Sequence, residues 1–215
     1  MEARDRTRNS KGTPTKASRW PRTDRREQRV YATLRHRQPD LTVVLEDVHD
    51  PHNVSAVLRS CDAVGVLDVH LVYIHEELPR RAFARSTSGS AAKWLRTFTY
   101  GSVENCYTAL RKQGSTILVS ALGIERTTLF EIDLTQPVAL VFGNEHRGVS
   151  AEAVTGADGT FVIPMMGMVQ SLNISVACAV TLFEAMRQRQ AADAYETQQL
   201  DQELYNSIAA EWLKK

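Results

Sequence analysis

The sequence predicts an α/β fold: a mostly parallel sheet with helices on both faces, carrying helical extensions at its N- and C-termini. Two observations lead there. Short apolar runs at 41–45, 67–74, 95–100, 116–121, 138–142 and 161–163 have strand length, and capped or helically spaced segments stand between several of them. Strands that alternate with helices pair in parallel, because the helix carries the chain back to the same end of the sheet, and such a sheet is covered on both faces.

Residues 1–23 are basic and are expected to be a disordered tail. Residues 24–38 place Val30, Tyr31 and Leu34 at helical spacing among Arg25, Arg26, Arg29 and Arg37, which predicts a basic N-terminal helix. The main domain is expected over 39–190. In it, 53–63 reads as a helix with Asn53 as its cap and Val54, Val57 and Leu58 inward. Residues 79–93 are mixed and read as irregular, and 102–112 form a capped helix that ends at Gly114. After a polar linker at 190–199, Leu204, Ile208 and Trp212 make one stripe of a short C-terminal helix within the extension 191–215.

The stretch 163–175 changes character midway. Pro164 and Gly167 punctuate a loop with Met165, Met166 and Met168, whereas Ser171 or Asn173 can cap a helix whose run from Ile174 to Met186 is apolar nearly all round. A helix without a polar face needs burial on several sides, in a core or at a subunit interface.

Composition excludes several classes. At 215 residues and 43% hydrophobic the chain can bury a full core. No run reaches membrane-spanning length and no apolar signal core opens the chain, so no membrane partner is expected and a cytoplasmic location is the default. Cys61, Cys106 and Cys178 are odd in number and far apart, which argues against disulfides and zinc. The net charge of +1 hides an asymmetry: residues 1–37 hold twelve Lys/Arg against four Asp/Glu, a net of +8, which leaves −7 for the rest. A basic arm on an acidic body suits a protein that holds a polyanion at one end.

Three loops leave strand ends, where ligands sit in such sheets. The first runs from Glu46 to Arg59. Its Arg59 either reaches over the strand ends or is a surface residue, and His49 and His52 lack further ligands for a metal. The second, Phe142-Gly-Asn-Glu-His-Arg-Gly-Val-Ser150, approaches a phosphate-cradling loop but has Val149 where the lysine is required, which makes a nucleotide hydrolase a poor fit. Ser150 can cap a following helix, and Asn144-Glu145 stay unexplained by a turn alone. The third is the stretch 163–175. No GxGxxG occurs, which removes the usual nicotinamide, flavin and Rossmann-methyltransferase fingerprints.

In this order and at these separations, Asn53…Arg59, Phe142-Gly-Asn-Glu145 and Ile163-Pro-Met…Ser-Leu-Asn-Ile-Ser175 resemble the three motifs of the SPOUT family of RNA 2′-O-ribose methyltransferases, most of all its TrmH branch, which acts on a D-loop guanosine of tRNA. The resemblance covers about residues 25–215. It implies a C-terminal trefoil knot at about 138–190, a homodimer with active sites at the interface, and S-adenosyl-L-methionine as cofactor, with S-adenosylhomocysteine as product. By likeness the cofactor is held by Ser120, Ala121, Leu122, Gly123, Gly143, Asn144, Ile163, Met165, Gly167 and Leu172. Asn53, Arg59, Glu145, Ser171 and Asn173 are the implied catalytic set, and Arg26, Arg29, Arg37, Lys93, Arg187 and Arg189 the implied RNA contacts. No metal is implied. The family assigns Arg59 a base role, which sits uneasily with a guanidinium pKa above about 12, so a phosphate and alkoxide clamp stays open beside it. Ribosomal RNA is the alternative substrate, and a binding module without catalysis is the alternative of another class.

Overall fold

The computed structural model describes residues 22–79, 91–121 and 127–215. Leu122, Gly123, the basic tail and the Ser-rich segment 86–90 lie outside the described residues. The elements in chain order are α1 (Arg22–Arg35), β1 (Leu41–Glu46), α2 (Pro51–Val64), β2 (Asp68–Val72), a 3-10 turn (Ala91–Trp94), β3 (Arg96–Tyr100), α3 (Val103–Lys112), β4 (Thr116–Ser120), β5 (Thr127–Thr128), β6 (Val138–Phe142), α4 (Ala151–Gly156), β7 (Gly159–Val162), α5 (Ile174–Ala191) and α6 (Gln202–Lys214).

Seven strands form one sheet in the order β3-β2-β1-β6-β4-β7-β5. Every described pairing is parallel, from Val43 beside Val69 to Thr127 beside Phe161. β1 and β6 lie at the centre and are buried along their whole length, as the apolar run of β6 and the mostly apolar β1, with Thr42 and Glu46 in it, require. The chain leaves β1 toward β2 and β3 on one side, while β6 pairs with β4 on the other, so the loops after β1 and β6 part at a topological switch point.

Two layers cover the sheet. Val54, Val57, Leu58 and Cys61 of α2, with Cys178, Leu182 and Ala185 of α5, pack on one face. Val103, Cys106, Tyr107 and Leu110 of α3, with Ala153 of α4, pack on the other. A third cluster joins α1 to α6 through Val30, Leu34, Ile208 and Trp212, so the C-terminal stripe docks on the basic helix. All three cysteines are buried and unpaired by disulfides.

One local expectation needs correction. α2 begins at Pro51 and Asp50 is its N-cap, accepting from the His52 amide at 2.8 Å. A proline at the first helical position needs no hydrogen-bond partner, so the helix starts before Asn53 and leaves that side chain free. α5 runs on to Ala191, and of the two cap candidates Asn173 is its cap. The short strand β5, only Thr127–Thr128, is too brief to show a period of two. No helix among the described residues is long and apolar enough to cross a membrane.

Candidate active site

The loops from β4, β6 and β7 converge at the carboxyl end of the sheet around a cleft of about 680 Å3, and the loop after β1 is bonded to the β6 turn beside it. Its geometry begins with the turn after β6. The Asn144 and Gly148 backbones bond each other both ways at 2.9 Å. A Cβ on Gly143 would meet the Gly148 and Val149 backbone at 2.3 Å, and Gly148 itself has φ +68, so both glycines are needed to close the turn. The Asn144 side chain locks it in place: Oδ1 accepts from the amides of His146 (2.9 Å) and Arg147 (3.1 Å), and Nδ2 donates to the Asp47 carbonyl at 2.8 Å.

That turn aims Glu145 at the start of α2. Its carboxylate accepts from the amides of His49 (3.2 Å) and Asp50 (3.2 Å) and from Asn53 Nδ2 at 2.9 Å. Burial pushes this carboxyl up, but the hydrogen bonds from Asn53 and from the Glu145, His49 and Asp50 amides outweigh it, and the net shift is downward. Glu145 is therefore ionised at neutral pH. An ionised carboxylate can only accept, so Asn53 must present its NH2 to Glu145 and its carbonyl outward. Asn173 Nδ2 donates to that carbonyl, Asn53 Oδ1, at 3.1 Å. Asn173 Oδ1 in turn accepts from the Ser175 amide (2.9 Å) and hydroxyl (2.6 Å). Donation thus runs one way, from Ser175 through Asn173 and Asn53 to Glu145. Residues from three distant segments are held in one orientation.

The cleft is lined by Ser120, Ala121, Gly143, Asn144, Ile163, Met165 and Leu172 from the expected cofactor set, and by Glu145, Ser171 and Asn173. Its walls are apolar toward Ile163, Leu172 and Ala177 and polar toward Ser120 and Gln170, a lining suited to an amphipathic ligand of drug-like size. Gly167 is not in the lining and sits on the exposed loop with Met166 and Met168. Arg59 is also not in the lining. It lies on the exposed stripe of α2 with His52, Ala56 and Ala63. His146, Val154 and Gln170 line the cleft although nothing in the sequence singles them out, and Arg147 stands out there only as a neighbour of Glu145.

The expected RNA contacts divide. Arg29 and Arg187 are exposed, Lys93 is half-buried over the Trp94 ring at 4.6 Å, and Arg26 is exposed while its Nη2 donates to the Trp212 carbonyl at 3.5 Å. Arg37 and Arg189 are corrected to structural residues. Arg37 is 0% exposed and donates to Asp62 (2.5 Å) and to the Val66 (2.6 Å) and Trp94 (3.2 Å) carbonyls. Arg189 is 1% exposed and donates to Asp40 (2.5 Å), Gln38 (3.1 Å) and the Leu134 (2.9 Å) and Gln136 (2.9 Å) carbonyls. Both guanidiniums are buried against protein acceptors and so lie out of reach of a phosphate, although Arg37 Nε has no partner among the described residues.

Residues 40–183 match the model of the SpoU rRNA Methylase family. The chain belongs to that family. It is 48% identical over 194 residues to a protein of Thermus thermophilus named tRNA (guanosine(18)-2′-O)-methyltransferase, covering 90% of this chain and 98% of the relative. It is 44% identical to the protein of that name from Escherichia coli, over 79% of this chain and 73% of the relative. Among solved structures, the SpoU-family tRNA modifying enzyme TrmH/SpoU of A. aeolicus superposes with a TM-score of 0.81 at 34% identity, covering 89% of this chain and 96% of that one. The SpoU methyltransferase AviRb of Streptomyces viridochromogenes, described in complex with AdoMet, gives a TM-score of 0.61 at 29% identity over 72% of this chain and 62% of its own.

Proposed function

We propose that this SpoU-family protein methylates the ribose 2′-hydroxyl of guanosine 18 in tRNA, with S-adenosylmethionine as methyl donor. The observation that carries the reading is the hydrogen-bonded line Asn173–Asn53–Glu145 at the edge of the cleft, which joins all three sequence motifs in one site. Relatives that share 44–48% of their residues with this chain bear that activity in their names. Ribosomal RNA is the second reading, supported by relatives named 23S rRNA (guanosine-2′-O-)-methyltransferase, whose likeness is lower at 39%.

S-adenosylmethionine, when bound, would supply an electrophilic methyl for the 2′-oxygen, its sulfur keeping the bonding pair as S-adenosylhomocysteine, while the hydroxyl proton would pass to the neighbouring phosphate or to water. The residues of this chain then have separable tasks. Ser120, Ala121, Asn144, Ile163, Met165 and Leu172 would hold the cofactor, their backbone groups reading its polar edges and their side chains its adenine. Glu145 is occupied by protein donors and serves as the anchor that orients Asn53, not as the base. Asn53 and Asn173 fix the rim on which the ribose must settle, and Ser171 faces the same cleft. Arg59 stands outside this cleft's lining, on the exposed stripe of α2, so it would act at the cleft of a partner copy, gripping the neighbouring phosphate and stabilising the developing alkoxide, since a guanidinium scarcely yields its proton.

A homodimer belongs to this reading. α5 leaves Val176 (46%) and Phe183 (48%) open to solvent, and the loop beside it exposes Met166 (94%), Met168 (100%) and Val169 (62%). A second copy would cover this apolar surface, and would bring a partner to the side of α2 where Arg59 stands. The trefoil knot is proposed on the same footing, with the segment that leads from β7 into α5 as the threaded part. A cytoplasmic location follows from tRNA as substrate.

The test is methyl incorporation from labelled S-adenosylmethionine into a full tRNA transcript, beside one carrying 2′-deoxyguanosine at position 18. Incorporation into the first alone supports the reading. Failure with both, cofactor still binding, overturns it and directs attention to ribosomal RNA fragments.

A further inference from the structure

Glu145 lines the cleft, and Asp47, Asp50 and Glu76 bond to its lining residues Asn144, Glu145 and Arg147, an unexpected collection of carboxylates where a polyanion must enter. One cation lines the cleft among them. Arg147, on the β6 turn, has a side chain 54% exposed, and its Nη2 donates to Glu76 Oε1 at 3.0 Å and lies 3.8 Å from Asp47 Oδ2. Its Nε and Nη1 have no partner among the described residues.

An exposed ion pair of this kind is worth little to stability and could be ornamental. What stands behind it argues otherwise. Asp47 is buried, and its backbone is left-handed at φ 49, a conformation uncommon for a residue with a Cβ. Its carboxylate collects the amides of Ile74 (2.8 Å), His75 (3.2 Å) and Glu76 (3.2 Å), which fixes the loop after β2. Its carbonyl holds Asn144 and so the β6 turn. Glu76 is gripped on its other oxygen by His49 Nδ1 at 3.1 Å. Both ends of the Arg147–Glu76 contact are therefore held by the same strained residue, and backbone strain kept by several bonds collects at functional sites.

We propose that Arg147 is a substrate-contact residue that takes an RNA phosphate flanking the target ribose, with Asp47 and Glu76 as its positioning residues. This rests on the methyltransferase reading above. Glu76 holds one nitrogen of the guanidinium and leaves two others to donate to a phosphate from the open side, so the arginine arrives already oriented and loses less freedom on binding. It also offsets the local carboxylates that would repel the RNA.

The experiment compares wild type, Arg147→Ala, Arg147→Lys and Glu76→Gln on a tRNA transcript, with KM and kcat at several salt concentrations and S-adenosylmethionine affinity measured separately. Arg147→Ala should raise the KM for tRNA about tenfold, leave kcat within about twofold and cofactor affinity unchanged, and reduce the salt slope by about one. Arg147→Lys should recover part of the loss, and Glu76→Gln should raise KM by about threefold as the arginine loses its bearing. A KM and salt slope in Arg147→Ala equal to wild type would overturn the proposal. Wild-type protein that binds cofactor but methylates no transcript fails the underlying reading instead, and filter binding of the transcript to the same variants then decides Arg147 on its own.

Discussion

Asn53 and Asn173 stand 3.1 Å apart, amide to amide, across 120 residues of chain. The direction of that bond is set by Glu145, which can only accept, and it makes the start of α5 depend on the start of α2. Removing the middle member should disconnect both. Asn53→Ala is expected to lower kcat/KM for tRNA methylation by about 10- to 100-fold, because a displacement of the ribose by a fraction of an ångström spoils the in-line geometry. It should cost about 1–2 kcal/mol of stability, since Glu145 keeps its two amide donors. Steady-state kinetics and thermal melts read the two effects separately.

Arg187 and Arg189 are two residues apart and have opposite fates. Arg187→Ala should leave the melting temperature near that of wild type and weaken tRNA binding, because its side chain is 67% exposed and among the described residues pairs only with Glu184 of its own helix. Arg189→Met should destabilise by about 3 kcal/mol, because Asp40 and the Leu134 and Gln136 carbonyls lose their donor. Chemical denaturation and filter binding, run on both, would reveal an error in either assignment.

Gly143→Ala tests the β6 turn. The new methyl would collide with the Gly148 and Val149 backbone, so the turn must open and carry Asn144 and Glu145 with it. Loss of S-adenosylmethionine binding by at least about tenfold is expected in calorimetry, with the fold intact by circular dichroism. Unchanged affinity would mean that this turn does not shape the cofactor site.

His70 predicts a pH effect away from the site. It is buried against Phe98 and Tyr100, its Nε2 has no partner among the described residues, and burial is the main cause that lowers its pKa to about 4, with Asp68 opposing and Arg96 adding. The unfolded chain binds this proton near pH 6.5 and the folded protein only near 4. The folded state therefore binds fewer protons, and stability is complete above pH 6.5 and falls between 6.5 and 4. The loss is on the order of 2–3 kcal/mol. His70→Gln should flatten this limb of a stability curve measured from about pH 8 to 4, and a slope equal to wild type would exclude His70 as its source.

Much of the architecture was legible in the chain. The buried strand β6 is a continuous apolar run and β1 nearly so, broken by Thr42 and Glu46, because a central parallel strand is covered on both faces. Ser102 and Ser150 cap α3 and α4 where the sequence puts them, because a cap is a local bond between neighbours. The three motifs likewise carry their glycines and amides in the open.

What the chain could not show is which charges meet. Arg37 and Arg189 read as members of a basic surface, since an arginine's sequence neighbourhood does not reveal an acceptor 25 or 149 residues away. Asn53 reads as a cap until the proline at the start of α2 moves the helix back and releases it. Asp47 and Glu76 give no signal, because a backbone turned left-handed and a carboxylate shared between loops exist only once the strand ends are side by side. Sequence determined the strands, the caps and the residues available for chemistry, all set by local sterics and apolar burial. Only the tertiary structure decided which arginines are spent on the protein itself and which remain to meet RNA, because pairing of charges is settled by distance in space.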